Sequence, residues 1–215
     1  MAYYLCMNRI AILLLLACAV QAEPRSYEIR PADGTRMELR VYKTGFMRGK
    51  VHLFQFPQYK GTLLYDPRKP EASEVTLTIP AASIQLLDTW LSAKDFKSVQ
   101  QYALKDMLAA ERFPEITFSS MAARPLENGV FEVRGTLAIR GVPKPAVVKV
   151  TPQTDSGADP RFKGEARIRL TDYGLKPPTA GFGTVGTKDE MDFTFTLTAA
   201  LKPPREPEGP PAGPR

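Results

Sequence analysis

Cysteine and histidine are nearly absent from this 215-residue chain, and their scarcity excludes several kinds of chemistry. Both cysteines, Cys6 and Cys18, lie close to the N-terminus, so the rest of the chain can form no disulfide, thiol nucleophile or cysteine-ligated metal site. A single histidine, His52, cannot build the multi-histidine sites typical of zinc or iron. We therefore expect a domain held together by its hydrophobic core, with no metal and no cofactor.

Long apolar runs are also scarce, and the one near the N-terminus predicts an export signal. Arg9 precedes an uncharged apolar stretch, and Val20-Gln21-Ala22 supplies the small side chains that a signal peptidase requires. The stretch is shorter than the roughly 20 apolar residues that span a bilayer. We expect residues 1–22 to be a signal peptide and the protein to be periplasmic or secreted. The sequence Leu15-Leu16-Ala17-Cys18 leaves one alternative open, a lipoprotein anchored through Cys18.

The chain lacks a clustered basic face, although its basic residues outnumber the acidic ones. It has 29 Lys and Arg against 23 Asp and Glu, which gives a formal net charge of +6. These side chains are scattered along predicted strands, whereas nucleic-acid-binding proteins gather them on one face or helix. We expect no nucleic-acid partner. Residues 202–215 contain six prolines and little to bury, which predicts a disordered tail after a folded domain over residues 23–201.

Strict alternation of apolar and polar residues organises the rest of the chain. Within residues 111–150, Phe131, Val133, Leu137 and Ile139 alternate with polar neighbours, the pattern of a strand with one buried face. Asn128-Gly129 and Gly141-Val142-Pro143 are typical of tight turns, so three strands here form an antiparallel meander. Similar runs occur at 37–42, 51–56, 59–65, 75–79, 166–170 and 191–199. The pattern predicts an all-β fold, an antiparallel barrel of about eight strands whose closure removes exposed edges.

In one segment the apolar period changes from two to that of a helix. Phe96, Val99, Ala103 and Met107 recur at spacings of three and four, which predicts an amphipathic helix around residues 93–109. Ser92, followed three residues later by Asp95, suits a capping box at its start. The residue before Pro114 avoids helical angles, so the helix must end before it. We expect the helix to lie over one end or side of the sheet.

The stretch from Gly181 to Gly186 matches the GxGxxG spacing of dinucleotide-binding sites. That fingerprint requires a preceding parallel strand and a following helix whose N-terminus holds the pyrophosphate. Here a strand is predicted from Asp189 onward, so we interpret the motif as a flexible loop near a barrel mouth. No paired carboxylates or Ser/His/Asp order converge on His52, which we interpret as a structural or partly exposed strand histidine. We predict no catalytic residue and no enzyme activity.

Several short motifs, taken together, resemble those of the YceI-like family. Residues 113–120, FPEITFSS, are similar to its Phe-Pro signature, and residues 135–145, GTLAIRGVPKP, are similar to a second signature. Weaker similarities at 70–75, 80–84 and 172–175 extend the match over residues 26–201. The chain departs from the family pattern at Ala138 and Pro143, where hydroxyl residues are usual. It also has no histidine at 105–108, and only His52 where some relatives have two histidines.

The resemblance implies a lipocalin-like antiparallel barrel, often exported, that binds polyisoprenoid lipids or quinones in an apolar interior. Each buried methylene contributes about 0.8 kcal/mol, so a few isoprene units suffice for micromolar binding. We therefore expect a non-enzymatic protein that carries or sequesters an apolar or amphiphilic small molecule, a function compatible with proximity to a membrane. The resemblance does not predict the oligomeric state.

Aromatic and aliphatic side chains on the alternating strands are the expected ligand-binding residues, and four side chains outside the strands are expected to close the mouth. Alternation alone does not distinguish a hollow barrel from one filled by its own side chains. A structural or partner-binding module with a filled barrel and no ligand is therefore the alternative. The expected strand residues are Phe54, Phe56, Phe118, Phe131, Val133, Leu137, Ile139, Ile168, Phe193 and Phe195, and the expected mouth residues are Trp90, Phe96, Met107 and Phe182.

Overall fold

The computed structural model describes residues 24–66, 68–153 and 159–202. The predicted signal peptide, Cys18 and nearly all of the predicted tail lie outside these residues. Within the described ranges the chain forms twelve strands and one α-helix, and every strand pairing is antiparallel. The strands are β1 (Arg25–Ile29), β2 (Arg36–Gly45), β3 (Val51–Gln55), β4 (Lys60–Tyr65), β5 (Glu74–Pro80), β6 (Gln85–Leu86), β7 (Glu115–Pro125), β8 (Phe131–Ile139), β9 (Val142–Gln153), β10 (Arg161–Arg169), β11 (Thr179–Ala180) and β12 (Val185–Leu201).

The described strands close into an up-and-down barrel of eight staves. Three of the staves are bent, and each consists of two consecutive strands that lie along the same neighbouring stave. These staves are formed by β1 and β2, by β3 and β4, and by β5 and β6. The remaining staves are β7, β8, β9, β10 and β12, and each pairs with its neighbour in the sequence. The ring closes where β12 pairs with β1 over Tyr27↔Leu201 to Ile29↔Ala199 and with β2 over residues 36–45. The all-β, lipocalin-like barrel of about eight strands is confirmed.

The meander at the centre of the sequence forms as predicted, except for the position of one turn. Strands β7, β8 and β9 pair in order, with Phe118↔Leu137 and Val133↔Val148 among the paired residues. The turn between β8 and β9 consists of Arg140 and Gly141, both of which have positive φ angles. Val142 and Pro143, which we expected in this turn, are the first residues of β9. A two-residue turn with two positive φ angles matches the twist of the strands it joins.

The helix α1 (Ala93–Tyr102) continues through a π-helical turn at Ala103–Met107 and crosses one end of the barrel. The predicted cap is present, because the Asp95 N–H donates to Ser92 Oγ at 3.1 Å. Gln100 fixes the helix to β6 by accepting from the Leu86 N–H at 2.7 Å and donating to the Ile84 carbonyl at 2.8 Å. At the other side, Arg140 donates to the Asp106 carbonyl at 3.0 Å. The C-terminal part of the helix and its π-helical turn are thereby fixed above the interior.

The GxGxxG stretch forms the turn between β11 and β12, which pair as a hairpin through Thr179↔Gly186 and Ala180↔Val185. Strand β12 begins at Val185, four residues before the predicted start at Asp189. A strand follows the glycines, so the backbone lacks the helix N-terminus that a dinucleotide site requires. No helix in the described part of the chain has the length and apolar character needed to cross a membrane.

The buried core occupies one side of the barrel. Its members come mainly from β1 to β6, and they include Met37, Phe54 and Leu86. The inward-facing residues of β8, β9 and β10 are instead mostly half-buried, with Val133 and Val148 as examples. Since these side chains point inward and still retain accessible surface, the interior beside them is not filled by protein. The barrel is packed on one side and hollow on the other.

Glycines in the hollow side make room for aromatic rings. At Gly164 on β10, a β-carbon would collide with the ring of Phe195, its direct partner on β12. At Gly135 on β8, it would lie 2.6 Å from the ring of Phe118. Each ring therefore lies over the bare backbone of a neighbouring strand. This packing keeps the two rings against the wall of the barrel.

We expect Gly164→Ala to destabilise the fold by about 1–3 kcal/mol, because the added methyl group forces the Phe195 ring away from the wall. Urea unfolding measures the loss. Glu165→Ala is the matched control, since Glu165 is the exposed neighbour on the same strand and its replacement should change the stability by less than about 0.5 kcal/mol. Equal stability of the two variants would contradict the described packing.

Candidate functional site

An apolar cavity of about 590 Å³ lies inside the barrel beneath α1. Its volume is within the roughly 300–1,000 Å³ typical of pockets for small molecules. Most of its wall comes from aliphatic and aromatic side chains that project inward from alternate positions of the strands. The cavity can therefore hold an apolar molecule against a mostly apolar wall.

Eleven of the residues predicted to bind ligand line this cavity. Nine of them lie on strands, where a period of two places every second side chain on the inner face, and Phe56 directly follows β3. Met107, in the π-helical turn, lines it from the end covered by the helix. These residues are Phe54, Phe56, Met107, Phe118, Phe131, Val133, Leu137, Ile139, Ile168, Phe193 and Phe195.

The other three predicted residues, Trp90, Phe96 and Phe182, do not line the cavity. The Trp90 ring stacks on the ring of His52 with centroids 5.3 Å apart, and its Nε1 donates to the Val51 carbonyl at 3.3 Å. Phe96 is half-buried against the hydrophobic core. Phe182 is fully exposed at the turn between β11 and β12. Strand periodicity places residues on strands only, so it gave no guide to the orientation of these three.

Several lining residues were missed although the same alternation marks them. Leu39 and Val41 on β2 and Val148 and Val150 on β9 all face the cavity. The runs were recognised as strands, but these four residues were not assigned to the cavity wall. Small residues such as Ala146 gave no signal in the sequence, and they matter because they leave space.

A group of polar side chains lines the cavity at the end covered by the helix. Lys43 stands opposite the buried Thr187 across the β2–β12 pair, and both line the cavity together with His52 and Thr179. Burial lowers the pKa of the Lys43 ammonium group. No described residue forms an ion pair with that group. Lys43 is thus a donor directed into a largely apolar space.

His52 is held by a buried carboxylate. Its Nδ1 lies 2.5 Å from Asp88 Oδ2, and the Leu53 N–H donates to Asp88 Oδ1 at 2.9 Å. The side chains of His52 and Asp88 are 9% and 1% exposed, so water does not compete for these contacts. The sequence predicts a structural or partly exposed strand histidine at position 52. The position of His52 in β3 fits the structural role, and the residue is buried and not partly exposed. The sequence offered no way to identify Asp88 as its partner.

Tyr173 adds a neutral polar group to the wall. It lies in the turn after β10, and burial raises the pKa of its phenol to about 12. The group therefore stays protonated over the physiological range of pH. The described residues contain no group of three or more His, Cys, Asp and Glu side chains that could hold a metal ion.

The cavity reaches solvent between α1 and β11. Most of its lining residues are buried or half-buried, but Ser98 and Tyr102 of α1 and Thr179 and Ala180 of β11 are exposed, and so is Glu74 at the start of β5. A lining residue that is also exposed marks a place where the cavity wall meets the outside. This gap, which we call the mouth, lies beside the polar group that includes Lys43.

Comparison with known proteins places this barrel in a family. The model of the YceI-like domain matches residues 27–199. The chain belongs to the YceI-like family. A relative from Pseudomonas syringae pv. tomato, named UPF0312 protein, is 31% identical over 150 residues, which cover 65% of this chain and 70% of the relative. Another UPF0312 protein, from Pseudomonas fluorescens, is 29% identical over 136 residues, covering 60% of this chain and 67% of the relative.

Solved structures share the fold of this YceI-like chain. The structure of BcnA from Burkholderia cenocepacia superposes with a TM-score of 0.62 at 25% identity, covering 77% of this chain and 96% of that protein. The YceI protein of Campylobacter jejuni gives a TM-score of 0.52 at 20% identity, covering 70% of this chain and 84% of that protein. The second likeness concerns the fold alone.

We expect Asp88→Ala to destabilise the protein by about 3–5 kcal/mol, because it removes one member of a buried pair and leaves the Leu53 N–H without its acceptor. Thermal or urea unfolding measures the loss. Glu71→Ala, at an exposed carboxylate, serves as the control and should be nearly neutral. A near-neutral Asp88→Ala would show that the pair does not hold β3 against the segment carrying Trp90.

Proposed function

We propose that this protein is an exported, non-enzymatic binding protein that carries or sequesters an isoprenoid lipid, a quinone or a similar amphiphile in its barrel. The observation that carries the proposal is the apolar cavity of about 590 Å³ inside the barrel. Membership of the YceI-like family supports it, because the family is known for a barrel fold that binds polyisoprenoids. The segment 1–22 would direct the export, and Cys18 would replace signal cleavage by lipid attachment in the alternative form.

Burial of apolar surface supplies a large part of the free energy of such binding. Ten to fifteen methylene-sized groups at about 0.8 kcal/mol each provide roughly 8–12 kcal/mol before the costs of association are subtracted. Micromolar affinity requires about 8 kcal/mol. A chain of two or three isoprene units lies in this range. The proposed contacts are the eleven predicted residues that line the cavity, together with the aliphatic side chains of β2 and β9.

The polar group at the mouth would bind the headgroup of the amphiphile. Lys43 can donate to a phosphate, carboxylate or quinone oxygen, and Thr187 and Tyr173 add hydroxyl groups to the same wall. With the headgroup there, the apolar tail would extend along β8, β9 and β10, where the barrel is hollow. This orientation leaves the polar end of the ligand beside the solvent and its tail away from it.

The filled-barrel alternative is not favoured by the structure. A barrel filled by its own side chains would bury the inward residues of all its strands, whereas Phe131, Val133 and Val148 are only half-buried. The packed side formed by β1 to β6 is enough to stabilise the fold. The hollow side is therefore free to accept a ligand.

We expect Ala146→Phe to abolish or strongly reduce retention of ligand, because the new ring projects into the cavity. The test is organic extraction of protein purified from its native compartment, followed by mass spectrometry. Val147→Phe is the matched control, since Val147 is the next residue on β9 and faces outward. The wild type and the control should yield a prenyl lipid or quinone. Repeated recovery of empty wild-type protein, with no affinity for added prenyl lipids or quinones, would overturn the proposal.

We expect Lys43→Met to weaken binding of farnesyl phosphate by about tenfold and to leave binding of farnesol nearly unchanged. The reason is that a hydrogen bond to a charged group contributes about 1.5–3 kcal/mol, and only the phosphate offers that partner. Calorimetric titration of both compounds measures the difference. Lys149→Met, at an exposed lysine on the outer face of β9, controls for the loss of one positive charge. A uniform loss for both compounds would place Lys43 outside the headgroup contact.

A further inference from the structure

Two adjoining turns project from the barrel beside the mouth. One is the β2–β3 turn at residues 45–50, and the other is the β11–β12 turn at residues 180–184; we call them the paired tips. The Phe46 N–H donates to the Thr184 carbonyl at 3.0 Å, which joins them. Gly45 permits this approach, because a β-carbon there would collide with the same carbonyl. The paired tips are therefore one connected surface and not two independent loops.

Each tip presents an exposed phenylalanine. Phe46 is 93% exposed and Phe182 is fully exposed, whereas other large apolar side chains of the barrel are mostly buried or face the cavity. Phe182 also has a φ angle of 53°, a left-handed conformation that is unfavourable for a bulky residue. A glycine at this position would remove both the exposed ring and the backbone strain. The ring is thus present although both its exposure to water and the left-handed backbone of Phe182 are unfavourable.

The surroundings of the two rings are basic. Residues 44–50 contain the exposed cations Arg48 and Lys50, and residues 176–188 contain the exposed cations Lys176 and Lys188. Neither segment contains a carboxylate. Lys50 Nζ lies 5.3 Å from the centre of the Trp90 ring, and Lys188 Nζ lies 5.5 Å from that of Tyr42, so both lie over aromatic faces. Four exposed cations, with no acid within either segment, favour a negatively charged partner.

We propose that the paired tips dock this protein on an anionic membrane surface. Exposed aromatic rings enter the interfacial layer of a bilayer, and each nearby lysine or arginine strengthens binding to anionic lipids roughly fivefold. The mouth lies beside the tips, since Lys43 and Thr187 continue from the same strands into the cavity wall. Docking in this orientation turns the mouth toward the lipid. The surface is independent of the ligand, so docking requires no occupant in the cavity.

Tryptophan replacements test the contact at single positions. Phe46→Trp and Phe182→Trp each place a fluorescent ring on a tip, and Met121→Trp places one at an exposed site on the outer wall of β7. The emission of the native Trp90 is common to every variant and is subtracted with the wild type. With vesicles that contain phosphatidylglycerol and brominated lipid, we expect blue-shifted and quenched emission from both tip variants and no change from Met121→Trp.

Removal of the rings tests their contribution to affinity. We expect Phe182→Gly combined with Phe46→Ser to weaken binding to the same vesicles by about tenfold or more, while Met121→Ser has no effect. Phe182→Gly should leave thermal stability equal or higher, because it relieves the left-handed strain. Binding of the wild type should weaken on vesicles of neutral lipid and at high salt, since salt screens exposed charges.

Unchanged emission from both tip variants on anionic vesicles would overturn the docking proposal. It would indicate that the paired tips bind a protein and not a membrane. Equal vesicle binding by the ring-removal variant and the wild type would overturn it as well. Neither result would affect the proposed ligand binding, because Phe46 and Phe182 do not line the cavity. Conversely, an empty cavity with normal vesicle binding would reject the ligand and retain the docking surface.

Discussion

The pairing of β12 along both of its edges is the constraint on which the rest of the structure depends. This strand pairs with β10 on one edge and with β2 and then β1 on the other, so it joins the last part of the chain to the first. Without it the meander would be an open sheet with two unpaired edges, which natural proteins avoid. Closure creates an inside, and the two-residue period of the strands then determines which side chains face it.

One part of the barrel interior is filled by packed side chains, and the other part is an unfilled cavity. Strands β1 to β6 bend, and their side chains pack into a continuous core with the helix. Strands β7 to β10 lie on the other side of the barrel, and the cavity lies between them and that core. The core residues of β1 to β6 supply much of the stability while some of them also form part of the cavity wall, which explains how an interior with an unfilled volume can belong to a stable fold with no cysteine among the described residues.

Much of this architecture could be predicted from the sequence because it rests on local patterns. Alternation identified the strands, and it placed Val133, Leu137 and Ile139 correctly on the inner face. The helix and its cap at Ser92 followed from spacing and residue type. The turn between β8 and β9 was predicted to begin one residue too late, at Gly141 and not at Arg140, because Gly141 suits several turn positions.

What could not be predicted depends on contacts between distant residues. The partnership of His52 with Asp88 joins β3 to the segment after β6, and neither side chain gives a local signal of the pairing. The hollow interior depends on the sum of side-chain volumes and not on any single motif. The exposure of Phe182 depends on a turn whose backbone conformation places the ring outside, and an aromatic residue in a predicted loop does not indicate this.

The packing of Phe118 and Phe195 over glycines has a consequence for how the cavity responds to a guest. A void lined by mobile aromatic rings would be expected to collapse when empty, because inward rotation of the rings would bury their surface. Here each ring already has van der Waals contact with the bare backbone of a neighbouring strand, and that contact would be lost on rotation. The empty barrel is therefore preorganised, and an incoming molecule meets a rigid receptor whose side chains need little ordering.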